Sequence, residues 1–255
     1  MKFRIFLQNH WNDETMLNHL YNEYHNLLIK YFDDIELYNI FDDHSNYLNI
    51  DNLHKYFNEY CCLYYLYKNE IYKKYDIICL GHYRRILDIN NVNINEFYYD
   101  NVLLEYLYIY EKLIPKENHI KKYNSYIFDL MYVLGIPVKI IKLFFLYLNI
   151  YYNEVNIVDD ENQYNISWHT CFACNANEFE NLMKFINGFF TFLFNIYNIE
   201  YEEESILNFI NDNKFYMYSN DTPRAFGYLT EYLTSFYFHN ISTKNKVYTG
   251  MIQIY

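Results

Sequence analysis

Glycine and proline are scarce in this chain: its 255 residues hold 5 Gly and 3 Pro against 34 Tyr and 21 Phe. Alanine is almost missing, while Asn and Ile abound. A collagenous or Gly/Pro-rich disordered chain is thereby excluded, and 52% hydrophobic with 20% charged residues describes a globular protein with a substantial core. The scarce residues have GC-rich codons and the abundant ones AT-rich codons. The bias therefore reflects an AT-rich coding genome, whether bacterial, protist or viral. Most tyrosines are accordingly expected to fill the core and its rim, not to act as binding platforms.

Positive charge is also short. Twenty Lys and Arg face 32 Asp and Glu, for a net charge of −12. Nucleic-acid backbones need a concentrated basic surface, so no nucleic-acid partner is expected. Arginine occurs only at positions 4, 84, 85 and 224, which makes the adjacent pair Arg84-Arg85 a candidate local site for an anionic ligand. Cysteines at 61, 62, 79, 171 and 174 are odd in number and two are adjacent. They form no disulfide framework and read as reduced thiols of a cytoplasmic protein, in a host cytoplasm if the genome is viral. Long apolar runs are missing too. Val138 to Tyr152 carries Lys139 and Lys142 and falls short of the ~20 residues of a membrane span. It is expected to be a buried or partly exposed helix, with peripheral membrane contact at most. Met1 to Leu7 runs directly into Gln8-Asn9-His10, with no signal-peptide pattern.

The elements present alternate between strand and helix. Lys2 to Leu7 alternates polar and apolar and predicts a strand. Glu14 to Phe32 carries apolar residues at helical spacing, and the Asp- and Asn-rich stretch 33–51 predicts a loop with one short strand at Ile35-Leu37. Leu53 to Tyr72 reads as one helix capped by Asp51, its face formed by Leu53, Phe57, Tyr60, Tyr64, Tyr67 and Ile71. Asp76 to Leu80 predicts a buried strand of a parallel sheet, completing a β-α-β unit. Further helices are expected over Val102–Ile114, Ser125–Leu134, Pro137–Tyr151, Glu178–Phe194 and Thr222–Phe238. Further strands are expected at Trp168–Cys174 and in the tail from Lys246 to Tyr255. No linker or repeat divides the chain, so a single α/β domain over 1–255 is expected, with halves meeting near residue 100.

Open α/β sheets bind ligands beyond the carboxyl ends of their strands. There the chain places Gly81-His82-Tyr83-Arg84-Arg85. Guanidinium groups offer a rigid fork of donors suited to phosphate oxygens, so the pair could hold a diphosphate. On position alone, two surface arginines bonded to acidic neighbours account for it equally well. The surroundings of the box add to it. Phe57-Asn58-Glu59-Tyr60, then Tyr67-Lys68-Asn69, then Tyr75 through Arg85 follow one another. They are preceded by Asn49-Ile50-Asp51 and followed by Cys174-Asn175-Ala176-Asn177 with Phe179. Last comes Arg224-Ala225-Phe226-Gly227-Tyr228-Leu229-Thr230-Glu231-Tyr232-Leu233. This ordered set, spanning roughly residues 49 to 233, resembles a family of exopolysaccharide and capsule glycosyltransferases. That family shows an acidic helix ending in Trp-Lys-Asn, a strand closing in Gly-x-Cys-His-Tyr-Arg-Arg, and a final Arg-x-x-Gly-(Phe/Tyr)-Leu-x-Glu-Arg-Leu. Here Tyr67 stands for the Trp, the Gly and Cys before His82 are exchanged, and Gln8-Asn9-His10-Trp11 replaces a lysine-bearing segment.

The resemblance implies a single-domain nucleotide-diphospho-sugar transferase fold of the A type, with a Rossmann-like sheet flanked by helices. It implies transfer of a hexose from a nucleotide sugar, a UDP-sugar in the first instance, to a glycan, lipid-linked glycan or protein. Arg84, Arg85, Tyr83, Glu59 and Asn69 would form the donor site. His82 would contact the sugar or phosphate, Glu231 would act as general base at the acceptor, and Arg224 would position it. Many enzymes of that fold hold Mn²⁺ or a similar metal with Asp-x-Asp, which this chain lacks after the strand. Either the arginines replace the metal or a carboxylate elsewhere supplies it, the candidates being Asp42, Asp43, Asp159 and Asp160. A noncatalytic nucleotide- or glycan-binding module of the same fold is the alternative. Zinc at His169-Thr170-Cys171-Phe172-Ala173-Cys174 is not expected. The segment has too few ligands, and Cys171 and Cys174 would face opposite sides of a strand.

Overall fold

The structure is a computed structural model that describes residues 2–9, 35–39, 42–82, 85–89, 92, 101–105, 135–152, 170–213, 215, 224–249 and 251–253. The side chains of Asn9, Leu37, His82, Arg85, Glu105, Ile252 and Gln253 are not among those described. The expected helices over 14–32 and 125–134, together with Tyr83, Arg84, Asp159, Asp160 and His169, lie outside the described residues.

Among the described residues eight strands form one mixed sheet. Its strands are β1 (Phe3–Asn9), β2 (Ile35–Asn39), β3 (Ile77–His82), β4 (Arg85–Leu87), β5 (Asn101–Glu105), β6 (Phe172–Asn175), β7 (Asn245–Thr249) and β8 (Met251–Gln253). The main path runs β2-β1-β3-β6-β5-β7, with β4 pairing β3 and β8 pairing β4. The first three strands are parallel. β6 is antiparallel to both neighbours, and β5 and β7 are parallel to each other.

Alternation along these strands divides two apolar faces. Phe3, Ile5, Leu7, Ile77, Cys79, Leu103, Cys171 and Ala173 belong to one cluster. Phe6, Tyr38, Ile78, Leu80, Val102, Leu104, Phe172 and Cys174 belong to the other, which is the larger and is covered by the helices. Cys171 and Cys174 thus face opposite sides, and the five cysteines are buried free thiols.

Among the described residues the helices are α1 (His54–Phe57), α2 (Tyr60–Lys68), α3 (Val138–Tyr151), α4 (Ala176–Tyr197), α5 (Glu203–Asn213) and α6 (Ala225–Phe236), the last continuing into a π turn, Tyr237–Ile241. Asn175 caps α4 by accepting the Glu178 amide at 2.8 Å, and Pro137 opens α3. Phe226 of α6 sits amid Phe57, Phe190, Phe194, Phe209 and Phe215, so α1, α4, α5 and α6 meet in one aromatic cluster. This is the fate of much of the aromatic excess: it fills the core.

Three local expectations are corrected. Residues 101–105 form strand β5, not the start of a helix. Val102, Leu103 and Leu104 are buried on alternate faces between β6 and β7. The segment from Leu53 is not one helix. It begins as a 3₁₀ turn, Asp51–Leu53, and is broken at Asn58, whose φ of 46° and ψ of −123° no helix accepts. Asp51 makes no capping bond; its carboxylate is turned to Tyr38 and His44.

Candidate functional site

From β1 the chain goes to β2 on one side and later to β3 on the other, so the boundary between β1 and β3 is the switch point of the parallel part. Loops on either side of such a boundary diverge and leave a crevice at the carboxyl edge. Three residues stand in register along that edge, Tyr38 beside Gln8 and Gln8 beside His82. The segment singled out from sequence thus begins at this carboxyl edge. Arg85 is the first residue of β4 and pairs with His82.

Gln8 is a polar residue in the inward phase of β1, two positions after the core residue Phe6, and it is buried. Its amide Nε2 donates to the Asn58 carbonyl at 2.7 Å. That bond ties the carboxyl end of β1 to the break between α1 and α2. The break turns the chain so that Glu59, the next residue, is buried at the start of α2. Cys61 donates its amide back to the Asn58 carbonyl at 3.0 Å and so closes the corner.

Helix α6 lies against the same corner. Phe57 stacks on Phe226 with ring centroids 4.8 Å apart and planes 16° apart. Asn58 packs against Gly227, the one residue type that leaves room for its carboxamide. One turn further along α6 is Glu231, also buried. The two acids share a neighbour: the Tyr228 phenol is pushed above its ordinary range by burial first and then by the negative charge of Glu231. Arg224 pulls it the other way, and Glu59 adds to the rise. Glu59, Arg224, Tyr228 and Glu231 therefore form one electrostatic neighbourhood, although 172 positions separate Glu59 from Glu231. Arg224, the N-terminal boundary residue of α6, is exposed.

Asn69 is placed elsewhere. It ends α2 at the far end from Glu59, about 15 Å away by helical rise. Its carboxamide exchanges bonds with the backbone of Leu48, accepting the amide at 2.9 Å and donating to the carbonyl at 2.8 Å, and it also donates to Tyr65. There it pins the 42–50 loop. Within that loop Asp42 and Asp43 are exposed, and Asp43 accepts the Ser45 amide at 2.9 Å; the Ser45 hydroxyl first and this amide second hold its carboxyl below the usual range. Among the described residues no group of three His, Cys, Asp or Glu could hold a metal ion.

A second polar cluster at this edge escaped the reading of the sequence. The buried Tyr38 hydroxyl donates to Asp51, and His44 Nδ1 meets the other Asp51 oxygen at 2.6 Å. The His44 ring stacks on Tyr38 at 4.8 Å, with Tyr65 tilted against both. Burial and the Asp51 bond raise the Tyr38 phenol well above its ordinary range. The signal available in sequence was an Asp preceding an apolar helix, which a cap explains equally well; only the position of β2 distinguishes the two. Gln8 had a clearer sign, a polar residue where the alternation of β1 calls for an apolar one.

No helix among the described residues is long and apolar enough to cross a membrane. No protein-family model, curated protein or solved structure matches the chain.

Proposed function

We propose that the chain is a glycosyltransferase moving a hexose from a nucleoside diphosphate sugar to a glycan, lipid-linked glycan or protein acceptor, on an A-type nucleotide-diphospho-sugar transferase fold. One observation carries this reading. Two segments of the family resemblance, 57–59 and 224–231, are far apart in sequence yet packed together, and Gln8 joins them to the edge where the His82 segment begins.

In this reading the donor diphosphate lies over the carboxyl ends of β1 and β3, with Arg84 and Arg85 neutralising it and Tyr83 and Glu59 completing the donor site. The acceptor hydroxyl attacks the anomeric carbon, the bond from that carbon to the diphosphate breaks, and Glu231 takes the hydroxyl proton. Tyr228, kept protonated by burial and by both acids, is a hydroxyl donor for a sugar oxygen. Arg224 sets the Glu231 side of the pocket. Asn69 acts by holding the 42–50 loop, not by touching the donor.

The test is a thermal-shift series with UDP, GDP, CDP and their hexose conjugates, each with and without Mn²⁺, followed by donor hydrolysis. A nucleotide at one hundred times its Kd stabilises by about 2.7 kcal/mol. The shift should vanish in Arg84→Ala and Arg85→Ala. A folded sample that neither shifts nor hydrolyses any of these donors would overturn the proposal; shift without hydrolysis in any condition would leave a binding module in its place.

A further inference from the structure

Helix α3 carries two lysines and no acid, in a protein of net charge −12. At 3.6 residues per turn, its buried side is formed by Ile140, Ile141, Phe144, Tyr147 and Leu148. The opposite stripe holds Lys139, Lys142, Leu146, Asn149 and Ile150, all exposed, with Leu143 half-buried at its border. Among the described residues seven large hydrophobic side chains are exposed, and two of them, Leu146 at 45% and Ile150 at 50%, lie on this stripe. Two more are close by: Tyr151 at 61%, one turn after the buried Tyr147, and Ile196 at 45% on α4. Tyr151 and Ile196 are also walls of a cleft between α3 and α4, together with Tyr152, Phe192, Thr191 and Asn195. Apolar area of this kind, gathered on one face, marks an interaction surface.

We infer that this face docks side-on against a lipid surface bearing anionic headgroups. The 14-residue helix is about 21 Å long, too short to cross a hydrocarbon core and suited to lying in its boundary. Leu146, Ile150 and Ile196 enter the acyl boundary. Tyr151 and Tyr152 sit at headgroup level, where phenol rings with one apolar and one wet end are favoured. Lys139 and Lys142 lay their stems along the helix and reach phosphates with their ammonium groups. Neither lysine forms an ion pair among the described residues, although the Lys139 ammonium lies 5.9 Å from the centroid of the Tyr197 ring; Lys184 at the cleft is held by Glu180 at 2.7 Å. With a Debye length of about 8 Å at physiological salt, the opposition of acids elsewhere on the surface is weakened by screening. A second copy of the chain fits less well. Whatever the relative direction of the two helices, neither carries an acid to meet Lys139 and Lys142.

The experiment is sedimentation of the purified chain with phosphatidylcholine vesicles, with and without phosphatidylserine. Binding to the phosphatidylserine vesicles is expected to fall as salt is raised. Leu146→Glu/Ile150→Glu should abolish it, and Lys139→Glu/Lys142→Glu should weaken it by about tenfold or more. Both pairs are surface substitutions, and circular dichroism checks that each variant is folded. No sedimentation with either vesicle would overturn the inference, as would binding indifferent to both variants. So would a vesicle-inert dimer that Leu146→Glu/Ile150→Glu dissolves.

Discussion

The Asn58 carboxamide occupies the space that a side chain on Gly227 would need. A Cβ added at Gly227 would stand 2.6 Å from Asn58 Nδ2 and 3.0 Å from both its Cβ and Cγ. Since the Asn58 backbone is fixed by Gln8 on one side and by the α1–α2 corner on the other, the side chain cannot simply withdraw. Gly227→Ala should therefore destabilise the fold by about 1–3 kcal/mol, as overpacking does elsewhere. Asn58→Gly adopts the positive φ of 46° without cost and removes the clash, so the double variant should be more stable than Gly227→Ala alone. Urea unfolding of the four proteins reads the coupling directly; strictly additive losses would contradict this packing.

Glu231→Gln keeps the shape of the buried side chain and removes its ability to accept a proton. If Glu231 is the base, the turnover of acceptor should drop by about 10²–10⁴-fold while donor binding and melting temperature change little. Asn69→Ala should show the opposite pattern, a loss of stability from the released 42–50 loop with a modest effect on the rate per folded molecule. Measuring kcat and unfolding on the same preparations separates the two.

Asp51→Ala leaves the buried Tyr38 hydroxyl without its acceptor and His44 without its carboxylate hydrogen-bond partner. The cost expected is about 1–3 kcal/mol. Tyr38→Phe removes donor and demand together and should cost less. Chemical denaturation of both variants tests the order; a larger loss for Tyr38→Phe would contradict it.

Alkaline pH should destabilise the fold, first through its thiols and above pH 10 through its buried phenols as well. Burial pushes Cys79 from an ordinary 9.0 to about 12, and Cys61, Cys62 and Cys174 are raised by burial as well. Between those values the unfolded thiol loses its proton and the folded one keeps it. The unfolded state then binds fewer protons, and stability present below pH 9 is lost as pH rises toward 12. Each such thiol contributes a slope of about 1.4 kcal/mol per pH unit. Cys79→Ala should flatten the curve by one thiol, and native protein should resist a thiol-specific alkylating reagent until denaturant is added.

How legible the molecule was depended on whether a feature is local. β1, β3, α3 and α4 follow from period and flanking residues, and their bounds shift only by a few positions. β5 did not, because Val102-Leu103-Leu104-Glu105 suits either state, and the neighbours that make it a strand lie at 172–173 and 245–249. The direction of β6 is likewise set by its partners and leaves no mark in Phe172-Ala173-Cys174-Asn175. The break at Asn58 was hidden because the apolar spacing of Leu53, Phe57 and Tyr60 continues across it and no Gly or Pro marks the turn. α5 was missed for its Glu- and Asn-rich composition. At the site, the segment at the end of β3 was visible in sequence, and so were Glu59, Arg224 and Glu231 through the resemblance. Their meeting around Tyr228 and the role of Gln8 were not, since both depend on contacts across the fold.

The contact of Phe57 with Phe226 also sets an order in time. During synthesis, the strands that form the carboxyl edge are complete once residue 82 has emerged, yet the helix bearing Gly227 and Glu231 arrives some 150 residues later. Until then Asn58 has no α6 to pack against, and the aromatic cluster lacks its centre. Closing so long a loop is slow, because its entropy is lost before any contact rewards it. The nascent chain therefore passes through a stage with half a crevice and bare phenyl rings, a stage at which chaperone capture and misassembly compete with maturation.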